Sequence, residues 1–362
     1  MFSPADREHM AEALRLAEKG LFTTTPNPRV GCVIVRDGEV VGTGWHEKTG
    51  GPHAEVLALR AAGERARGAT AYVSLEPCSH HGHTPPCVDA LIEAGISRVI
   101  SAMQDPNTRV AGSGFDRLRA AGIQVESGLM QAEASALNCG FVSRMSRGRP
   151  WVRMKIAASL DGRTALANGR SQWITGPEAR RDGHAWRARA CAVLTGIGTV
   201  KHDDPQLNVR EVETTRQPLK VLVDSKLQLQ PSAKLLQSGK VLVATATANR
   251  STITALEDQG AEVVVLPNAE GKVDLMDLMR ELARREINEV HVEAGIKLNG
   301  ALLRENLVDE LLLYLAPSIL GDTARGMFSL PELADLALKR LVQFDDVQAI
   351  GRDIRILSRV IN

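Results

Sequence analysis

Apolar residues recur at helical spacing from Glu8 to Lys19, and Gly20 stops the run. The period then shortens to two. Val30 to Val35 and Val40 to Trp45 read as strands joined by a turn at Asp37-Gly38, a dipeptide suited to the left-handed backbone of a tight hairpin. Ala54, Leu57, Ala58 and Ala61 fall at i, i+3, i+4 and i+7, which predicts an amphipathic helix beginning at His53. Ala71 to Leu75 is a short strand running into Glu76-Pro77-Cys78, and Pro86 opens a helix that Gly95 closes. Arg98 to Ala102, Gly114 to Ala121 and Gln124 to Ser127 read as strand, helix and strand, giving a three-layer α/β arrangement.

A second pattern of the same class follows. Trp151–Ala157, Ala192–Leu194, Leu219–Val223, Lys240–Ala244, Glu262–Leu266, Glu289–Glu293 and Glu310–Leu315 read as strands, with helices between several of them, notably Pro177–Arg189 and Leu275–Arg284. Between the two patterns, Ser143-Arg144-Met145-Ser146-Arg147-Gly148-Arg149-Pro150 is polar, basic and broken by Gly and Pro, as a connection would be. The expected domains are therefore 1–146 and 147–362. A chain of 362 residues supports two cores more readily than one.

Composition narrows the partners. Lys and Arg number 44 against 43 Asp and Glu, so there is no net field to gather nucleic acid or an anionic membrane. Six Phe, four Trp and two Tyr are too few for base-stacking platforms. The N-terminus has early acids and no apolar core of the secretory kind, and the best apolar stretch, near Leu311, is broken by Asp309, Glu310 and Pro317. The expectation is a cytoplasmic protein acting on small molecules, without nucleic acid or membrane. Of five cysteines, Cys32, Cys139 and Cys191 have apolar surroundings and read as core, while Cys78 and Cys87 bound a histidine-rich loop and read as metal ligands.

Those two cysteines join a further motif, His53-Ala54-Glu55. One imidazole and two thiolates can hold a zinc ion with its fourth position open to water, and an adjacent carboxylate can carry protons. The set resembles the signature of zinc-dependent base deaminases, with Glu55 as the proton carrier and His53, Cys78 and Cys87 as ligands. Eight residues separate the cysteines here where two are usual in that superfamily. A purely structural zinc is the alternative, its fourth ligand drawn from His80, His81 or His83, but it gives Glu55 no purpose at the mouth of a helix.

The long loop, Pro77-Cys78-Ser79-His80-His81-Gly82-His83-Thr84-Pro85-Pro86-Cys87, is similar to that of the bifunctional riboflavin-biosynthesis deaminase/reductase family, RibD or RibG. Thr25-Pro26-Asn27-Pro28-Arg29-Val30-Gly31, Asp105-Pro106-Asn107, Lys155 to Ala165, Ser171 to Gly176, Asp203 to Arg210 and Val292-Glu293-Ala294-Gly295 match the family in order. The resemblance implies a cytidine-deaminase-like domain followed by a dihydrofolate-reductase-like α/β reductase domain. It also implies pyrimidine ribosyl phosphate substrates, zinc and NADPH as cofactors, and a homo-oligomer, dimer or tetramer. The deaminase substrate would meet Asn27, His46, His83 and Asn107. Relatives usually carry Lys or Arg in place of His83, so weaker and more pH-dependent phosphate binding is expected there.

For the second half no dinucleotide fingerprint is present, since Gly196-Ile197-Gly198 lacks a third glycine at the required spacing. A strand leading into Gly295 and Gly300 offers a weak phosphate turn by itself. By resemblance, NADPH would contact Ala157, Trp173, Thr199, Asp203, Ser225, Gly295, Ile296, Lys297, Leu298, Asn299, Gly300 and Ala301. The ribosyl substrate would face Ser171, Arg187, Leu207, Arg210 and Glu293. Arg187 and Arg210 suit a phosphate because guanidinium presents paired donors, although Arg187 also reads as an ordinary solvated arginine of a basic helix. Trp173 also reads as a core residue, and His46 as an exposed strand end.

Overall fold

The computed structural model describes residues 2–79 and 85–361, which leaves His80, His81 and His83 outside the described residues. The chain forms two compact units, Met1–Gly148 and Arg149–Asn362.

In the first unit α1 (Pro4–Glu18) starts earlier than its apolar period. The reason is a capping box: Ser3 Oγ accepts from the Asp6 N–H at 3.1 Å, and the Asp6 carboxylate accepts from the Ser3 N–H at 2.8 Å. Strands β1 (Gly31–Arg36) and β2 (Glu39–Trp45) form the expected hairpin. Asp37 and Gly38 both take positive φ, 52° and 80°. α2 (Ala54–Ala62), β3 (Thr70–Val73), α3 (Cys87–Glu93), β4 (Arg98–Ser101), α4 (Ser113–Ala120) and β5 (Gln124–Ser127) follow. The sheet order is β2-β1-β3-β4-β5.

Close glycine packing sets the layers. A Cβ on Gly31 would lie 1.9 Å from the Ala13 carbonyl oxygen of α1. Gly42 and Gly44 press on the other face, where a Cβ would meet the Ala58 and Ala54 carbonyls of α2 at 2.3 and 2.4 Å. Gly31 pairs with Trp45 while Gly44 pairs with Cys32, so the alternation of the pleat puts α1 and α2 on opposite faces. Helices α5 (Gln131–Leu137) and α6 (Cys139–Arg147) close the unit. The segment expected to be a linker from Ser143 is thus the last turn of α6, ended by Gly148 at φ 66°.

The second unit contains β6 (Trp151–Ser159), α7 (Pro177–Arg189), β7 (Ala192–Gly196), α8 (Ile197–Asp203), β8 (Leu219–Val223), β9 (Val241–Thr245), α9 (Arg250–Glu257) and β10 (Ala261–Val265). After these come α10 (Leu275–Arg284), β11 (Glu289–Val292), α11 (Ile296–Arg304), β12 (Glu310–Ala316), β13 (Leu341–Ile350) and β14 (Asp353–Ile361). Nine strands order as β10-β9-β8-β7-β11-β6-β12-β14-β13. The pairs from β10 to β12 are parallel, and the last two strands are antiparallel additions.

One apolar core here packs Val152, Met154, Val290 and Val292 against Leu278, Leu282 and Leu302. The α7 side of the sheet combines a small apolar cluster, Ala179, Leu312 and Tyr314 with Trp186, with buried ion pairs. Arg153, fully buried, pairs with Glu289 at 3.0 Å and with Glu310, and its guanidinium stacks 4.5 Å from the Trp186 ring centre. The buried charge of Arg153 is therefore paired. Among the described residues no helix is long and apolar enough to cross a membrane.

Candidate active sites

In the first unit the metal motif is assembled by two helix starts. His53 is the N-cap of α2 and Cys87 opens α3, while Cys78 follows β3 through Glu76 and Pro77. His53 Nδ1 lies 3.1 Å from Cys87 Sγ and 3.5 Å from Cys78 Sγ, and the three ligand atoms all fall within 4.8 Å of one another. The Cys87 N–H donates to Cys78 Sγ at 3.2 Å. Hydrogen bonds from Cys87 and His53 hold the Cys78 thiol down to about 4, against its burial. The same bond to Cys78, then burial, push the Cys87 thiol up. One nitrogen and two sulfurs at this spacing suit a tetrahedral zinc ion with one open position.

Glu55 sits in the first turn of α2, 3% exposed. Burial first, then the charge on Cys78, raise its carboxyl to about 7, although His53 opposes them. A carboxyl near 7 both takes and returns a proton at neutral pH.

His46 is buried, not the exposed strand end that its position after Trp45 allows. Its Nδ1 lies 3.0 Å from the Pro52 carbonyl, which only accepts, so Nδ1 carries the proton. Nε2 then accepts from Asn27 Nδ2 at 3.1 Å, which fixes the orientation of the Asn27 amide. Burial lowers the pKa of His46, as this neutral tautomer requires. Asn107 lies between β4 and α4, its Oδ1 accepting from the Arg109 N–H at 3.2 Å.

The second unit has a cavity of about 1250 Å³. It lies where β6, β7 and β11 end, the usual ligand position in an open parallel sheet. Gly196 and Gly295 carry β7 and β11 into α8 and α11. Its walls include Ala157, Ser171, Trp173, Arg187, Thr199, Asp203, Leu207, Arg210, Glu293 and Gly295 to Asn299. The structure does not bring Ser225, Gly300 or Ala301 to the wall. Ser225 Oγ accepts from the Val273 N–H, and Ala301 packs on the apolar core. A Cβ on Gly300 would lie 2.1 Å from the Ser329 carbonyl oxygen, so that glycine serves packing. Trp173 is no core residue. It is 68% exposed, with Arg180 stacked 4.6 Å from its ring centre.

Arg187 is neither solvated nor a free fork. Its Nε and Nη2 donate to the two oxygens of Glu293 at 2.7 and 2.9 Å, and Nη1 donates to the Asn208 carbonyl. Burial raises the Glu293 pKa, but Arg187, Lys155 and His291 outweigh it and hold the carboxyl well below its ordinary range. Arg210 keeps more freedom, with Nη1 bound to Asn208 Oδ1 at 2.8 Å.

Residues 150–356 match the RibD C-terminal domain, and residues 3–103 match the cytidine and deoxycytidylate deaminase zinc-binding region. Riboflavin biosynthesis protein RibD of Escherichia coli K12 is 49% identical over 96% of this chain and 98% of its own length. The chain belongs to the RibD family. Acinetobacter baumannii RibD in one solved form shares 44% identity with a TM-score of 0.91, covering 99% of both chains. A Thermotoga maritima diaminohydroxyphosphoribosylaminopyrimidine deaminase/5-amino-6-(5-phosphoribosylamino)uracil reductase shares 33%, with a TM-score of 0.87 and 99% of both chains covered. RibD proteins are bifunctional riboflavin-biosynthesis enzymes, with a zinc-binding deaminase half and an NADPH-dependent reductase half.

The cavity of the second unit is also lined by residues that no sequence motif marks. Gly196-Ile197-Gly198 is no dinucleotide fingerprint, yet it lines the wall, and nothing lies within 4 Å of a Cβ placed on Gly198. Backbone there and at Gly295 is open to close approach by a phosphate, so the turns fit a dinucleotide. Lys155 lines the cavity beside Glu293; burial lowers its pKa and Glu293 opposes that. His184 accepts the Arg210 N–H at Nδ1, 3.3 Å, and burial with Arg187 and Arg210 pushes it down to about 4. It is therefore neutral with its proton on Nε2. A histidine inside an apolar-poor helix gives no sequence signal for this.

His291, behind Glu293, is fully buried, and burial lowers it from 6.5 to about 3. Between those values the unfolded chain holds a proton that the folded chain does not, so stability falls as pH drops below about 6.5. The expected loss at pH 5 is about 2 kcal/mol. Thermal unfolding at pH 7 and pH 5 reads it, and an unchanged midpoint for the second unit would contradict the buried neutral ring.

Proposed function

We propose that the first unit hydrolytically removes the ring amine of 2,5-diamino-6-ribosylamino-4(3H)-pyrimidinone 5′-phosphate. The second unit then reduces the ribosyl group of 5-amino-6-(5-phosphoribosylamino)uracil to ribityl. The observation that carries this reading is Glu55, a buried carboxyl poised near neutrality in the helical turn that begins at His53, beside Cys78 and Cys87. A structural metal site has no use for it. When bound, zinc supplies Lewis acidity toward water and NADPH supplies hydride.

His53, Cys78 and Cys87 hold the metal. Glu55 takes a proton from the attacking water and delivers it to the departing amine, so ammonia leaves as the ring C–N bond breaks. Asn27, oriented by His46, and Asn107 hold the substrate, and His83 takes its phosphate end. In the second unit Gly295 and the first turn of α11 receive the cofactor phosphates, and Ala157, Trp173, Thr199 and Asp203 line its path. Glu293, fixed by Arg187, orients the ribosyl group, and Lys155 is the ammonium beside it that can give the proton balancing hydride addition. Ser171, Leu207 and Arg210 complete the substrate wall, with Arg210 the better placed phosphate ligand because the Arg187 donors are occupied.

The test is order dependence. With the diaminopyrimidine phosphate as the sole substrate, NADPH absorbance is expected to fall only after ammonia appears. Supplying the deaminated product is expected to remove that lag. NADPH consumption without ammonia release would defeat the reading.

A homo-oligomer in the cytoplasm completes it. Its support is β13, the edge of the nine-stranded sheet, which exposes Leu341, Phe344 and Val347 together with an unpaired strand edge. Two thiols held as metal ligands, Cys78 and Cys87, suit a reducing compartment. A solution mass of at least two chains is expected by sedimentation.

A further inference from the structure

Glu76 lies two residues before the metal-ligand position Cys78 and is only 6% exposed. Among the described residues no cation pairs with it. Its charge is met by backbone donors instead. Oε2 accepts from the N–H groups of Asp105 and Gly112, both at 3.0 Å, and Oε1 accepts from the N–H of Gly114 at 2.9 Å. The Glu76 N–H itself donates to the Met103 carbonyl at 2.9 Å, which fixes the backbone of this residue to the strand end preceding the loop.

These three donors bracket one segment. Asp105 begins the loop after β4, and Gly112 and Gly114 end it at the start of α4. Asn107 lies between them, in a turn where Asp105 Oδ1 accepts the Asn107 N–H at 2.8 Å. One carboxylate thus holds both ends of the loop that carries Asn107. The steric fit points the same way. A Cβ on Gly114 would lie 2.2 Å from the Pro77 carbonyl oxygen, so α4 rests directly on the peptide that joins Glu76 to the cysteine. Gly112 adopts φ 83°, the left-handed region where a side chain is strained. Charge-assisted hydrogen bonds to a buried, otherwise unpaired carboxylate are short and directional, so the loop has one favoured position.

We infer that Glu76 is a positioning residue for deamination: it sets the loop carrying Asn107 at a fixed distance from the metal-ligand segment and so fixes where the substrate sits against the metal. The inference rests on the reading of Asn107 as a substrate contact. It does not touch the reacting atoms, so its loss acts on substrate binding more than on the chemical step.

Two variants of the full-length, zinc-loaded chain test this. Glu76→Gln puts an amide NH2 against backbone donors, and Gly114→Ala lifts α4 off Pro77 without altering charge. Ammonia release from the diaminopyrimidine phosphate gives kcat and KM, metal analysis gives zinc content, and NADPH oxidation on the deaminated product reports the second unit of the same molecules. Both variants are expected to raise the deaminase KM about tenfold or more, the order found when a group supporting a site is removed. The fall in kcat should be smaller, with full zinc content and unaltered reductase turnover. Unchanged KM in both variants, or loss of zinc in both, overturns the inference. Asn107→Ala separates the two readings. If Asn107→Ala leaves KM unchanged, the reading of Asn107 as the contact fails and the inference falls with it; if Asn107→Ala raises KM while Glu76→Gln and Gly114→Ala do not, the inference alone fails.

Discussion

Glu55→Gln is expected to lower deaminase kcat by about 10²–10⁴-fold, the contribution typical of a positioned proton carrier. The amide keeps the shape of a side chain that is 3% exposed, so packing around α2 should survive. Gln carries no proton between water and the leaving amine, while His53, Cys78 and Cys87 remain in place, so zinc content is expected to stay full. Reductase turnover belongs to a separate compact unit and should be unaltered. Zinc and kcat falling together would mean that Glu55 supports the ligands and does not serve the reaction.

The second large effect concerns Glu293. Its carboxylate takes two donors from Arg187 and lies 3.5 Å from His291 Nε2, with the Lys155 charge also bearing on it. Glu293→Leu would leave Arg187 and Lys155 without their counter-charge at a mostly buried cavity wall. Breaking one side of such a pair costs about 3 kcal/mol or more. Reductase activity should vanish, and the unfolding midpoint of the second unit should drop. The double variant Arg187→Met with Glu293→Leu is expected to recover much of the stability and none of the activity, because it removes the stranded guanidinium but not the need for an orienting carboxylate. Activity returning with stability would reduce Glu293 to a folding residue.

The chemistry of the first unit was legible because its residues are adjacent in the chain. His53 and Glu55 share one helix start, and Cys87 follows Pro86 at the start of α3, while Cys78 follows Pro77 in the loop after β3. Strands with clear alternation or short apolar runs were likewise readable, down to the Asp37-Gly38 turn. Helices α5 and α6 were not, since the polar, basic end of α6 has the composition of a linker and only its partly buried face, with Phe141 and Val142, marks it as helix. The hairpin of β13 and β14 escaped for a related reason. β13 is exposed almost throughout and has an irregular register between Phe344 and Asp346, so no buried face imposes a period of two.

The reductase wall shows another limit. Gly196 to Gly198 fails a dinucleotide motif yet opens a helix on the cavity, because a phosphate needs accessible backbone N–H groups and not a particular glycine count. Arg187 looked suited to phosphate by residue type, but the carboxylate that occupies its donors, Glu293, is 106 positions away in the chain. Long-range charge pairing of this kind has no local signal.

The central claim is that one chain holds two independent sites acting in a fixed order. It is tested most directly by following ammonia and NADPH together in Glu55→Gln supplied with the diaminopyrimidine phosphate. The account predicts neither ammonia release nor NADPH oxidation above a small residual rate, and prompt NADPH oxidation once deaminated product is added. NADPH oxidation at the wild-type rate before that addition would contradict it.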